Sequence, residues 1–96
     1  MNVRGEGVED ESTGWAWEFD PGAEWVLGEM KEPDQEAVRV MASALADLAA
    51  AGLTPDGLLA DDPNPFRLRT YSSGLILLWY QVVPYRKRVY IPRINL

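Results

Sequence analysis

Cysteine and histidine are both absent from this 96-residue chain, and each absence removes a class of chemistry. Without cysteine there is no disulfide framework and no thiolate metal site. Without histidine the usual imidazole base and the commonest metal ligand are missing. Zinc chemistry is therefore not expected, and no cofactor is expected either. Serine nucleophile schemes lack a base, since Ser43 falls mid-helix and Ser72 and Ser73 fall in a turn. A glycine-rich phosphate loop is also missing: neither GEG (5–7) nor GAEWVLG (22–28) lies between a strand and a helix at the required spacing. Asp56, Asp61, Asp62 and Asn64 offer oxygen ligands but lack the loop spacing and the closing bidentate glutamate of a calcium site. The longest uninterrupted apolar run, Leu75 to Tyr80, is far short of the roughly 20 residues that span a bilayer. The N-terminus carries acids where a secretory signal would be basic. The expectation is a cytoplasmic protein with no membrane partner.

Acidic residues are missing from one part of the chain. Residues 1–62 hold fifteen acids against Arg4, Lys31 and Arg39, net -12, whereas residues 63–96 hold six cations and no acid, net +6. The two parts are electrically opposite although the whole carries -6. The overall acidity opposes indiscriminate nucleic-acid binding, yet a local positive face can still take a polyanion or an acidic protein. The plain alternative is internal neutralisation, with basic strands lying beside acidic helices.

A hydrophobic content of 47% and a charged content of 25% match an ordinary globular chain, and the length allows one core. The acidic, glycine-containing stretch 1–13 has too little apolar surface to repay ordering and is expected as a flexible arm, leaving residues 14–96 as a single domain. GWAWEFDP alternates Trp15, Trp17 and Phe19 against small or acidic residues, as a strand with one buried face does. Asp20 and Pro21 predict an N-cap and first turn, with a short helix through Ala23, Val26, Leu27 and Met30. Asp34 predicts a second N-cap. From there Val38, Met41, Ala42, Leu45, Leu48 and Ala49 form one apolar stripe up to Gly52, a suitable C′ residue. LTPDGLLADDPNP predicts a loop. FRLRTY, the turn at SSG, and LILLWYQVV predict a hairpin whose second strand is central, and Pro92 in KRVYIPRINL predicts an edge strand or a bulge.

The order β-α-α-β-β-β predicts an α+β fold, an antiparallel sheet with a helical hairpin packed on one face. Phe66 and Leu68 have the parity of the helix side, so Arg67, Arg69 and Tyr71 are expected on the uncovered side. There they would join the cations of PYRKRVYIPR (84–93). Trp15, Trp17, Trp25 and Trp79 are expected in the core. Phosphodiester cleavage by the 2′-hydroxyl needs no histidine if guanidinium groups stabilise the phosphorane and a phenol shares in proton transfer. Arg67, Arg69, Arg86, Lys87, Arg88 and Arg93 could supply the charge. Tyr71, Tyr80, Tyr85 and Tyr90 could supply the phenol or a stacking surface.

From Trp15 to Leu96 the chain resembles the RelE/ParE superfamily of bacterial type II toxins. AVRVMASALADLAAAG (37–52) resembles that family's long second helix, and FRLRTYSSGLILLWYQV (66–82) resembles its strand pair. The resemblance implies a toxin acting on messenger RNA at the ribosome as an endoribonuclease, or a non-catalytic gyrase inhibitor, or an orphan interaction domain. Under the ribonuclease reading, Arg86, Arg93, Tyr71 and Tyr85 would be catalytic, and Arg67, Arg69, Lys87 and Arg88 would bind RNA or a partner. The partner implied is an antitoxin whose acidic segment masks the basic face. The acidic stretch Glu6 to Glu11 is expected to fold back and screen that face in cis.

Overall fold

Alternation around Trp17 sets the first contact between sheet and helix. The structure is a computed structural model and describes the backbone of residues 7–9 together with residues 13–64 and 66–96. Its strands are β1 (Gly7–Glu9), β2 (Ala16–Phe19), β3 (Leu53–Thr54), β4 (Gly57–Leu58), β5 (Arg69–Ser73), β6 (Ile76–Val83) and β7 (Arg88–Asn95). Its helices are α1 (Ala23–Val26) and α2 (Glu32–Ala50). Most of the stretch expected as a flexible arm lies outside the described residues, as does the screening role of Glu6 to Glu11. The backbone of β1 pairs antiparallel with β2.

The α+β class is observed, but two details of the expected layout are corrected. The main sheet has the order β1-β2-β7-β6-β5 and is mixed, because β2 and β7 are parallel, from Ala16 opposite Arg88 to Phe19 opposite Ile91. A crossover through a helix returns the chain to the end at which β2 began, so β5 and β7 run the same way as β2. The helical hairpin is also reduced. The first helix is a single turn of four residues with Gly22 at its N-cap, where Asp20 was expected. The second helix starts before Asp34: Lys31 is the N-cap, Pro33 sits in the first turn, and Glu32 and Asp34 are its acidic first-turn residues. Proline is tolerated there because its missing N–H would have had no helical acceptor. Gly52, with φ 77, follows the Ala51 C-cap as the stripe predicted.

The apolar stripe of α2 (Val38, Met41, Ala42, Leu45, Ala46, Ala49) packs on Trp17 and Phe19 of β2, on Ile76, Leu78, Tyr80 and Val82 of β6, and on Val89 and Ile91 of β7. These strand residues share one parity, so both helices cover one face of the sheet. No helix packs on the other face among the described residues. Trp15 and Trp17 are core residues, but two of the expected four are corrected: Trp79 is half-buried on the face away from the helices, and Trp25 is 75% exposed because the single turn of α1 turns Ala23 and Val26 to the core instead. The loop expected at 53–65 contains the small β3–β4 hairpin.

Ser73 pairs with Ile76 across a two-residue turn, and Gly74 holds φ 60 with no atom near enough to touch an added Cβ. Replacement there is penalised by backbone conformation alone. Gly74→Val is expected to cost roughly 1–2 kcal/mol in urea unfolding and Gly74→Asn clearly less. Equal costs would show that the turn relaxes.

Candidate functional site

The uncovered face is organised by β7, whose neighbours are β2 on one side and β6 on the other. Glu18, Tyr90 and Gln81 form one cross-strand row, and Trp79 and Arg93 form the next. Between those rows Tyr80 alone stands opposite Ile91 and Pro92, a bulge. This is where the expected irregularity falls, and it absorbs a proline that cannot donate to a ladder. The extra residue also places Tyr90 and Arg93, three apart in sequence, on the same face. Arg93 lies over the Trp79 ring at 4.9 Å from its centroid.

An open concavity of about 580 Å³ sits over the Glu18–Tyr90–Gln81 row, with Phe66, Tyr85 and Arg86 around it and Asp20 at its edge. Its position follows from local sequence. Pro84 ends β6 in a 3-10 turn, and Lys87, with φ 53, turns the chain back into β7. This projects Tyr85 and Arg86 over the face. The Tyr85 ring meets Phe66 edge to face at 6.1 Å, and the Gln81 amide N–H donates to the Phe66 carbonyl at 2.7 Å, tying that residue to the sheet. Arg86 donates to the Tyr90 hydroxyl at 3.2 Å, which holds its guanidinium above the ordinary pKa, and it lies 5.9 Å from the Tyr85 centroid. Arg88 is engaged differently: one guanidinium nitrogen lies 3.0 to 3.4 Å from the carbonyls of Lys87, Gly14 and Arg86. Lys87 reaches the Thr13 carbonyl at 3.4 Å. These two cations fasten the β6–β7 connection to the start of β2.

The expectation for Arg67, Arg69 and Tyr71 is overturned. Arg69 stands opposite Tyr80, and Tyr71 opposite Leu78, on the helix side of the sheet, while Phe66 and Leu68 are exposed. The strand begins only at Arg69, and its register is fixed from the Gly74 turn, so the parity is the reverse of that read from FRLRTY. The Arg69 side chain is 2% exposed and bonds to the Asp62 carboxylate. Arg67 donates to the same carboxylate at 3.0 Å, and the Asn64 N–H donates to its other oxygen at 2.8 Å. Asp62 is held below the ordinary carboxylate range by the Asn64 N–H, with partial burial opposing and Arg67 and Arg69 adding to the effect. Arg69 Nε and the Tyr80 hydroxyl are buried without a partner, and burial pushes the Tyr80 phenol up to about 12 despite the nearby Arg69 charge. Tyr80 has no role at an accessible site. Two of the six cations are thus internally neutralised. Arg86, Lys87, Arg88 and Arg93 form no ion pair among the described residues.

Of the four residues expected to be catalytic, the structure brings Arg86 and Tyr85 together, sets Arg93 on the adjoining row, and leaves Tyr71 on the opposite face. Residues not singled out from sequence, Glu18, Gln81 and Phe66, complete the concavity. The only sequence signal for Glu18 was its outward parity between Trp17 and Phe19. Among the described residues no three carboxylates are placed to hold a metal ion, and no helix is long and apolar enough to cross a membrane. Comparison with protein families, with characterised proteins and with solved structures returned no match.

Proposed function

We propose that this chain binds single-stranded RNA on the uncovered face of its sheet, as a toxin-like protein of the kind the RelE/ParE resemblance suggests. The observation that carries the reading is the concavity in which Phe66, Tyr85 and Tyr90 surround a guanidinium, with Arg93 on the next row of the same strand. Stacked rings bind unpaired bases through their π faces and cations follow the phosphates. In cleavage of the RNA, Arg86 would stabilise the phosphorane charge. Tyr85, lining the same concavity, would pass the 2′-hydroxyl proton on to the departing 5′-oxygen as the P–O5′ bond breaks and the 2′,3′-cyclic phosphate forms. A phosphate also has reason to settle at Arg86, because no described carboxylate neutralises it.

The test is fluorescence anisotropy with a labelled single-stranded RNA at low salt, followed by controlled expression in bacteria with RNA-end mapping. Tyr85→Ala is expected to weaken binding roughly tenfold or more, by loss of a stacking ring. Arg86→Ala and Arg93→Ala should each lower the slope of affinity against salt by about 0.7. Growth arrest with cuts that vanish in Arg86→Ala would support cleavage. RNA affinity untouched by all three substitutions would overturn the reading.

A further inference from the structure

The concavity carries both signs of charge without cancelling them. Arg86, Glu18 and Asp20 all line it, yet no ion pair forms between Arg86 and either carboxylate. Arg86 instead donates to the Tyr90 hydroxyl. The Gln81 amide donates one N–H to the Phe66 carbonyl, which leaves its oxygen and its second N–H for other partners. The row Glu18–Tyr90–Gln81 thus offers a carboxylate at one end and an amide at the other, in the concavity that Phe66 and Tyr85 also line. A phosphate-only ligand has no use for the Glu18 carboxylate and is repelled by it. A purely cationic ligand is repelled by Arg86. The ligand that satisfies all of these groups is flat, carries N–H donors on one edge, and carries a phosphate beyond.

We propose that the concavity selects guanine among the bases of a bound RNA, with Glu18 as the specificity-determining residue. Guanine alone presents two adjacent donors, the ring N1–H and the exocyclic N2–H, in a fork that matches the two oxygens of a carboxylate. Adenine and cytosine offer an amino group beside a ring acceptor, which a carboxylate repels, and uracil offers a single N–H between two carbonyls. The base stacks on Tyr85 with Phe66 meeting it edge on, the donor edge meets Glu18, and the phosphate extends to Arg86. The volume of about 580 Å³ accommodates a whole nucleotide, within the usual range for such sites. This inference rests on the RNA reading above.

The experiment compares two labelled RNAs, a short run of adenosines and the same run with one central guanosine, on the wild-type chain and on Glu18→Gln. Glu18→Gln is close to isosteric on a half-exposed strand position, and its folding is checked by circular dichroism. The wild type is expected to prefer the guanosine RNA by roughly tenfold or more. In Glu18→Gln the ratio of the two dissociation constants should fall toward one. Arg86→Ala should weaken both RNAs and preserve the ratio. Equal affinity for the two RNAs in the wild type, or a preference that survives in Glu18→Gln, would overturn the proposal and leave RNA binding standing. Failure of both RNAs to bind would overturn the RNA reading with it.

Discussion

Replacing Asp62 with asparagine is expected to lower the melting temperature by on the order of 10 °C or more. The effect falls on Arg69, whose side chain is 2% exposed and whose guanidinium has Asp62 as its one acceptor among the described residues, Nε being unpartnered there. Asparagine keeps the shape but removes the charge, leaving a buried cation uncompensated, which costs far more than the loss of a surface pair. Arg69→Met should do less harm. It keeps the apolar stem, and Asp62 stays bonded to Arg67 and to the Asn64 N–H at its more exposed position. The double variant should be near Arg69→Met and well short of the sum. The same pair gives a pH dependence of known sign. The folded pKa of Asp62 lies below its ordinary 3.8, so its contribution is complete above that ordinary value and is lost as pH falls through the lower folded one. The gap in melting temperature between wild type and Asp62→Asn should therefore be constant near neutrality and close in strong acid. A gap that persists unchanged there would mean that the carboxylate charge is not what holds Arg69.

The second large effect is expected at Trp17. Trp17→Ala should remove about 3–5 kcal/mol from the free energy of unfolding measured in urea, a large share of the roughly 5–15 kcal/mol that a domain possesses. Trp17 is 1% exposed, packs edge to face on Phe19 at 5.2 Å, and donates its indole N–H to the Ser43 hydroxyl at 3.2 Å. It is thus the bolt between β2 and α2. Trp17→Phe keeps most of the apolar volume and should cost much less. The substitution also reaches the uncovered face, because Glu18 is the next residue on the same strand. Any RNA affinity should therefore fall with Trp17→Ala in step with the unfolded fraction. Unfolding energies unchanged by Trp17→Ala would contradict the assigned packing.

Elements whose pattern admitted one solution were legible in the sequence. The Trp17–Phe19 alternation, the α2 stripe ending at Gly52 and the Gly74 turn all follow from local chemistry, whereas Pro92 left an edge strand or a bulge open and the interior β7 takes the bulge. The parity of 66–71 was not legible, because LILLWYQVV is apolar on both faces and gives no reference for which face is inside. The hairpin register settles it by placing Arg69 against Tyr80. The partner of Arg69 was hidden as well, since nothing in the spacing of Asp62 and Arg69 says that the loop folds over the strand. The candidate site was half legible. Tyr85 and Arg86 stood out as an aromatic–cationic pair, but Glu18 joins them only through the parallel pairing of β2 with β7, a contact between distant parts of the chain.

That pairing also bears on how the molecule comes together. β7 is an interior strand, flanked by β2 and β6, yet it follows every other described strand in the order of synthesis. Until it emerges, β2 and β6 each lack the neighbour that the finished sheet gives them. Such a half-built sheet must wait for its keystone, which makes closure slow for a protein of this size and leaves both edges open to foreign strands meanwhile.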